Sequence, residues 1–338
     1  MGIRGHRRAA CGGLLLAFAL FCIGFSRGEA AESIASPGPD DVDEPEEVVY
    51  AARTRPDRVG RIMAPVFVNG QGPFSFIVDT GATRSAIAPH LAERLGLLPD
   101  FSQPLDLHGI TGAASVPSIL VQTLQVGDLT QVNRRLPVVV PTVFADADGI
   151  LGVDGFKNMC LRANFVDGSV SITRKGCTNS SKYWPRANAR FRFGGLVVVA
   201  ARVGGQRVKA IIDTGAERSL GNPQLLRALG LEDEAASPMA ASDVTGATEH
   251  RMAGSTVLVP TIFIDELEVT TLPVTFGDFA VFRLWNLDTE PAVVLGMDVL
   301  GTIDGLVIDY RRSQIRVLPA GSSGEPEINQ RALPGRLP

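Results

Sequence analysis

The motif Asp-Thr-Gly-Ala occurs twice in this 338-residue chain, beginning once at Asp79 and again at Asp213. Each copy ends an apolar run rich in Ile and Val, which is typical of a buried strand that breaks into a tight turn. The offset of 134 residues also aligns the flanking residues, because 12 of the 22 residues at 76–97 are identical to those at 210–231. This internal duplication predicts two similar lobes, in which the two aspartates hold equivalent positions.

Two further elements are paired between the halves. A glycine-containing turn lies at 108–113 and at 243–247, and it fits either a plain surface turn or a mobile flap that closes over a ligand. We favour flaps, with the substrate-binding residues Gly109, Ile110, Thr111, Gly112, Val244, Thr245 and Gly246. The runs Gly-Ile-Leu-Gly at 149–152 and Val-Val-Leu-Gly at 293–296 are offset by 144, so the second half has gained about ten residues near 279–290.

The composition indicates a turn-rich β protein, with 36 glycines and 22 prolines among many Val, Ile and Thr runs. One short helix is predicted after each Asp-Thr-Gly-Ala turn, where Pro89 and Pro223 suit the first helical turn. The predicted organisation is a signal peptide at 1–30, a disordered acidic linker at 31–57, a first lobe at 58–177, an interlobe linker at 178–189, a second lobe at 190–318 and a disordered tail at 319–338.

The first thirty residues have the pattern of a targeting segment. Arg4, Arg7 and Arg8 precede a mostly apolar stretch at 14–25. The small residues Gly28 and Ala30 then occupy the two positions that a signal peptidase reads, which predicts cleavage after Ala30. An uncleaved membrane anchor is the alternative, but the apolar stretch is short for a span of ~20 residues. We therefore expect a periplasmic or secreted protein with no stable membrane insertion after cleavage.

The charge distribution excludes a nucleic-acid partner. The formal net charge is −4, and removal of residues 1–30, with four arginines and one glutamate, makes it −7. Six acidic residues lie within 40–47, so the rest of the mature chain is nearly neutral and has no basic stripe. The acidic run itself is typical of a solvated tether.

The cysteines and histidines indicate a disulfide and no metal or cofactor. After signal removal only Cys160 and Cys177 remain, and an isolated pair in an oxidising compartment favours a disulfide over a metal or redox site. His108 and His250 have no ligand-like spacing to a cysteine or to another histidine, so a zinc site is not expected.

Two carboxylates brought together by pseudo-twofold symmetry would form an acid–base pair. At ~3 Å, two full charges repel by about 5 kcal/mol at an effective dielectric constant of 20, so the pair retains one proton. The ionised member can then activate water while the protonated member donates to a carbonyl oxygen. Thr80 and Thr214 can join the two loops through hydroxyl hydrogen bonds, and Gly81 and Gly215 allow close turns.

With these motifs the chain resembles the retropepsin-like aspartic proteases, as an exported, bacterial-type member with two tandem lobes. The resemblance covers nearly all of 60–176 and 190–318, and alanine after Asp-Thr-Gly is the retroviral form. It implies an all-β, bilobal, pseudo-two-fold architecture, Asp79 and Asp213 as the catalytic dyad, and a peptide or unfolded protein as substrate. Retropepsins usually dimerise, whereas both halves lie in one chain here, so a monomer is expected.

Two other interpretations fit the same motifs. The chain could be a duplicated β protein whose aspartates only cap turns, or a non-catalytic module that binds peptides in the same cleft. Both aspartates, both threonines and the flap glycines are present, and a decayed site need not retain them. The sequence therefore favours an aspartic endopeptidase.

Overall fold

The computed structural model describes residues 48–53, 57, 59–140, 144–174, 177, 184–270 and 272–321. The predicted signal peptide at 1–30, residues 31–47 of the acidic segment, residues 178–183 of the interlobe linker and the tail from 322 onward lie outside these described residues.

The first lobe consists mainly of strands, preceded by β1 (Val48–Arg53). Its elements are β2 (Met63–Val68), β3 (Gln71–Val78), β4 (Ala86–Ile87), α1 (Pro89–Arg94), β5 (Asp100–Gly109), β6 (Gly112–Val126), β7 (Leu129–Pro137), β8 (Gly149–Leu151), β9 (Cys160–Asn164) and β10 (Ser169–Thr173).

The second lobe follows the same plan with additions. Its elements are β11 (Arg186–Arg192), β12 (Leu196–Val203), β13 (Gln206–Ile212), β14 (Leu220–Gly221), α2 (Pro223–Leu229), α3 (Glu232–Ala236), β15 (Ala240–Thr245), β16 (Arg251–Val259), β17 (Ile262–Ile264), β18 (Leu267–Val269), β19 (Leu272–Phe276), α4 (Ala280–Leu284), β20 (Ala292–Leu295), α5 (Met297–Leu300), β21 (Gly305–Asp309) and β22 (Gln314–Leu318).

The strand before each Asp-Thr-Gly-Ala motif is central in its sheet. β3 lies between the antiparallel β2 and the parallel β8, and β13 lies likewise between β12 and β20. Central strands that are covered on both faces need apolar residues throughout. Phe76, Ile77 and Val78 are accordingly buried at the end of β3, as Ile211 and Ile212 are at the end of β13. The all-β, two-lobed fold expected from the sequence is confirmed.

A shared sheet joins the lobes. β9 and β21 are antiparallel, with Cys160 opposite Asp309, Arg162 opposite Val307 and Asn164 opposite Gly305. β10 and β1 extend this sheet on one side, and β22 and β11 extend it on the other. All residues of β9 and β21 are buried, so the junction is part of the core. Because β9 and β21 are equivalent strands of the two lobes, their antiparallel pairing relates the lobes by a pseudo-twofold axis, as in a symmetric dimer joined by two strands.

Two segments predicted to be irregular begin strands instead. Within the predicted disordered linker 31–57, Val48–Arg53 form β1, which is antiparallel to β10. Within the predicted interlobe linker 178–189, β11 begins at Arg186, which lies opposite Arg316 of β22. In both cases the added strand pairs with the N–H and C=O groups of a strand that would otherwise be an open edge of the shared sheet. The overall acidity of 31–57 obscured a short run, Val-Val-Tyr-Ala-Ala, that suits a strand.

The two helices predicted after the Asp-Thr-Gly-Ala turns are α1 and α2, but the expectation of only one helix in the second lobe is wrong. That lobe contains α2, α3, α4 and α5 among its described residues. α4 (Ala280–Leu284) lies inside the ten-residue gain expected near 279–290. α3, α4 and α5 span only four or five residues each, which is too short for an apolar periodicity to be visible in the sequence. None of the helices in the described residues is both long and apolar enough to cross a membrane.

The predicted disulfide is confirmed. Cys160, at the start of β9, is bonded to Cys177, and their Cα atoms are 5.3 Å apart. The pair packs with Trp184, Val307 and Leu318 in a small buried cluster on the shared sheet. The bond therefore ties the end of the first lobe to the strands that join the two lobes.

We expect Cys160→Ser and Cys177→Ser each to lower the free energy of unfolding by about 3 kcal/mol, because a closed loop of 17 residues no longer restricts the unfolded chain. Urea unfolding of the mature protein measures this change. A reductant should shift the wild-type midpoint to that of the variants and leave the variants unchanged. An unchanged wild-type midpoint under reduction would contradict the expectation.

Candidate active site

Each aspartate is held by its backbone at the end of a central strand. The N–H of Asp79 donates to the carbonyl of Leu151 at 3.0 Å, and the N–H of Asp213 donates to that of Leu295 at 3.0 Å. These carbonyls end β8 and β20, the Leu-Gly elements that the sequence paired between the halves. The repeated Leu-Gly run thus serves a physical purpose, since it fixes the point at which each aspartate leaves its sheet.

The carboxyl groups are fixed by their own turns. The Oδ1 of Asp79 accepts from the N–H groups two and three residues later at 2.8 and 2.9 Å, and the Oδ1 of Asp213 does the same at 2.9 and 3.0 Å. The two loops also approach closely: a Cβ at Gly81 would lie 2.2 Å from Asp213 Oδ2, and one at Gly215 would lie 2.2 Å from the Asp79 carboxyl. Both positions therefore require glycine.

The two threonines form a threonine bridge between the lobes. The N–H of Thr80 donates to Thr214 Oγ1 at 3.1 Å, and the N–H of Thr214 donates to Thr80 Oγ1 at 3.0 Å. Each hydroxyl then donates to a strand carbonyl of the opposite lobe, Ile212 at 2.8 Å and Val78 at 2.7 Å. Both side chains are buried, so the bridge exchanges no bonds with water and locks the loops in one arrangement.

The environment of the dyad favours protonated carboxyl groups. Burial, followed by the negative charge of Asp213, raises the pKa of Asp79 to about 8. Burial also raises the pKa of Asp213, although bonds from backbone N–H groups oppose the rise. The two side chains are hydrogen-bonded to each other. Because two adjacent buried charges are unfavourable, the pair carries one proton at neutral pH.

A serine–aspartate brace, which was not predicted from the sequence, supports each loop. Ser85 donates to Asp154 Oδ1 from its N–H at 2.8 Å and its hydroxyl at 2.7 Å. Ser219 donates likewise to Asp298, from its N–H to Oδ2 at 2.8 Å and from its hydroxyl to Oδ1 at 2.7 Å. The signal was present, because both serines follow the motif at an offset of 134 and both aspartates follow the Leu-Gly elements at an offset of 144.

The predicted flaps are the tips of the β5–β6 and β15–β16 hairpins, and the two tips meet. The N–H of Gly246 donates to Thr111 Oγ1 at 3.1 Å. The carbonyl of Ile110 accepts from the N–H of Val281 in α4 at 3.2 Å, so the added helix also contacts the first tip. The predicted flap residues that line the cleft are Gly109, Ile110, Val244, Thr245 and Gly246. Thr111 and Gly112 instead face the opposite hairpin.

The dyad lies in a cleft of about 1050 Å³ between the two lobes. Its second-lobe wall includes Phe193 and Trp285, whose rings stack with their centroids 5.8 Å apart. This wall was not predicted from the sequence, since Trp285 belongs to the added residues and has no partner in the first half. Arg61 also lines the cleft and was missed, because it precedes the first paired strand of the lobe.

No group of three or more His, Cys, Asp or Glu side chains that could hold a metal ion occurs in the part of the chain that the structure describes. A family model described as "Aspartyl protease" matches residues 64–154 and 199–299. Each matched region contains one aspartate, one flap and one Leu-Gly element, so the comparison also divides the chain into two equivalent parts. A comparison with curated proteins finds no match.

Proposed function

We propose that this chain, which belongs to the aspartyl protease family, is an endopeptidase with Asp79 and Asp213 as its catalytic residues. The observation that supports this most strongly is geometric: the threonine bridge holds the two loops so close that two carboxyl groups, one from each lobe, lie against each other at the base of the cleft. An aspartate that only caps a turn needs the N–H groups of its own turn as partners. The interpretation of the aspartates as turn caps therefore does not explain why a second carboxylate lies against the first.

The proposed reaction uses the one proton of the pair. The ionised aspartate takes a proton from water, whose oxygen bonds to the scissile carbonyl carbon, while the protonated aspartate gives its proton to the carbonyl oxygen. In the second step the first aspartate passes its proton to the amide nitrogen and the C–N bond breaks. The second aspartate recovers its proton from a hydroxyl of the tetrahedral intermediate. The products are a carboxylic acid and an amine, and the dyad returns to its starting state.

The substrate that fits this cleft is an extended peptide segment, as in an unfolded protein. Flap residues from both lobes line the cleft together with the dyad, so a bound chain would contact both lobes. An extended backbone also offers N–H and C=O groups to the flap backbone. The wall formed by Phe193 and Trp285 suits an apolar side chain of the substrate.

Cleavage of an unfolded protein by the purified mature chain, followed over a pH series, tests this function. We expect activity to fall as the pH rises through about 8, because the pair then loses its retained proton. It should fall again at low pH, where the second carboxyl group is also protonated and no base remains. Tight binding of peptides without cleavage at any pH would instead support the peptide-binding module.

We also propose that the protein is exported, on the basis of the basic, apolar and small-residue pattern of residues 1–30. The intact mass of protein recovered from the periplasm or the medium should correspond to a chain that begins after Ala30. Recovery of only the full-length chain, and only in the cytosol, would overturn the proposal.

A further inference from the structure

The two lobes place different residues at one pair of equivalent positions in the cleft. β2 pairs with β3 in the register that β12 has with β13, so Met63 corresponds to Val198. Two residues earlier stand Arg61 in the first lobe and Leu196 in the second, and both line the cleft. A cation and an apolar side chain at symmetric positions make the surroundings of the two aspartates unequal.

The turn before β2 is built to hold the guanidinium group of Arg61. Arg61 donates from Nε to Asp57 Oδ2 at 2.6 Å, its Nη2 lies 2.6 Å from the same oxygen, and both side chains are 8 % exposed. In the second lobe the residue that corresponds to Asp57 is Arg192, because Gly60 and Gly195 donate to these two carbonyls in the same way. The second lobe therefore lacks the carboxylate that would hold a cation.

The guanidinium reaches across to the loop of the opposite aspartate. Arg61 Nη1 donates to the carbonyl of Gly215 at 3.4 Å, and the N–H of Gly215 donates to Asp213 Oδ1 at 2.9 Å. The positive charge thus lies against the Asp213 loop. Burial raises the pKa of Asp213, while backbone hydrogen bonds, the bond with Asp79 and the charge of Arg61 act in the opposite direction. For Asp79 the dominant neighbouring charge is that of Asp213.

The other ionisable groups around the cleft do not reproduce this asymmetry. Those that line it are Arg84, Asp106, His108, Glu217, Arg218 and Asp243, and all six are exposed. Solvent screens their charges at the dyad far more than it screens the buried Arg61. Tyr310 is buried, and burial, followed by the negative charge of Asp79, raises the pKa of its hydroxyl, so it is neutral over the working range.

We propose that Arg61, held by Asp57, gives the dyad a fixed polarity, in which Asp213 is the ionised member that activates water and Asp79 is the proton donor. The proposal rests on the proposed function. Arg61 is a positioning residue, since it acts on the dyad through charge and through the Gly215 loop. In the first step Asp213 takes the proton of water and Asp79 gives its proton to the carbonyl oxygen. In the second step Asp213 passes its proton to the amide nitrogen as the C–N bond breaks, and Asp79 recovers a proton from the tetrahedral intermediate.

Titration of each carboxyl group alone tests the polarity without any use of activity. In Asp79→Asn only Asp213 titrates within the dyad, and in Asp213→Asn only Asp79 does. The two variants are related by the pseudo-twofold axis, so in each of them the remaining carboxyl group has an asparagine amide as its partner. With ¹³C-labelled aspartate, we expect the pKa of the lone Asp213 to be lower than that of the lone Asp79 by about one pH unit, a tenfold difference in proton affinity. Equal values, or the reverse order, would overturn the proposal.

Substitution of Arg61 then tests the cause. Arg61→Met, in the Asp79→Asn background, should raise the pKa of Asp213 by about one pH unit. The same change in the Asp213→Asn background should move Asp79 less. Arg61→Lys retains the charge and should largely preserve the difference, and Leu196→Met is the matched control in the second lobe. Equal shifts of both aspartates after Arg61→Met would contradict the proposal, and if Arg61→Met does not fold, the comparison of the lone carboxyls still decides it.

The activity of the Arg61→Met enzyme separates the two proposals. If the chain is a protease, the acidic limb of its kcat/KM profile should move to higher pH by the shift measured for Asp213, and Arg61→Lys should restore it. A lower activity with an unmoved acidic limb would show a merely structural role for Arg61 and overturn the assignment. A chain that shows the expected carboxyl titrations but cleaves nothing would retain the polarity and refute the proposed function.

Discussion

Asp79→Asn and Asp213→Asn should each lower kcat/KM for an unfolded protein substrate, towards the upper end of the range of about 10²- to 10⁴-fold for loss of a positioned acid or base. The amide has the shape of the carboxyl group but can neither accept the proton of water nor share one with its partner. Because the two groups act as one unit, the double variant should be hardly worse than either single one. Rates from a quenched fluorescent protein substrate measure all three variants.

Folding provides the control for these substitutions. Since the fold raises the pKa of Asp79 from 3.8 to about 8, the folded chain binds a proton that the unfolded chain releases within that window. Ionisation of Asp79 therefore opposes folding increasingly as the pH rises, whereas asparagine stays neutral. Asp79→Asn should be at least as stable as the wild type at pH 7 in urea unfolding. A folded single variant with the wild-type rate would refute the dyad.

Gly81→Ala and Gly215→Ala should have the second largest effect, with a loss of about 10²-fold or more in kcat/KM. The new methyl group would lie 2.2 Å from the opposite carboxyl, so the two loops must separate and the aspartates lose their alignment. A displacement of about 1 Å at reacting groups costs about 10²-fold. The same kinetic assay measures it, and circular dichroism checks the fold.

Gly96→Ala serves as the matched control for these glycine substitutions. Gly96 has a φ of +66° and open space where a Cβ would stand, so the change tests the general cost of alanine for glycine in the same lobe. It should destabilise the protein by about 1 kcal/mol and leave kcat/KM near the wild-type value. If Gly81→Ala is as active as Gly96→Ala, the close approach of the two loops is not needed for catalysis.

The sequence predicts those parts of the fold and site that are repeated in it. Asp79, Thr80 and their partners 134 residues later could be paired because identical residues at a constant offset imply equivalent places in two lobes. The structure brings these residues together through the threonine bridge. The Cys160–Cys177 bond was predictable because two cysteines leave only one pairing.

Apart from the serine–aspartate brace, which both lobes share, the features of the site that the sequence did not predict are those that differ between the lobes. Arg61 and Trp285 have no equivalents of their own kind in the other half, so nothing marked them as part of the cleft. β1 was missed because its short apolar run lies in an acidic segment, and because its pairing with the edge of β10 is a tertiary contact. The internal duplication thus identifies the site residues that both lobes share. Residues present in one lobe only, such as Arg61 and Trp285, are identified from the contacts in the folded structure.

The central claim is that the two lobes of one chain form a single catalytic dyad. It is tested most directly by titration of the mature enzyme with a tight-binding peptide in which a tetrahedral hydroxyl group replaces the scissile carbonyl. Such a peptide resembles the transition state and binds where the two carboxyl groups meet. If one dyad is formed by the two lobes of a single chain, activity should reach zero at one inhibitor per chain. An end point at one inhibitor per two chains, or no inhibition by a peptide that binds, would contradict the account.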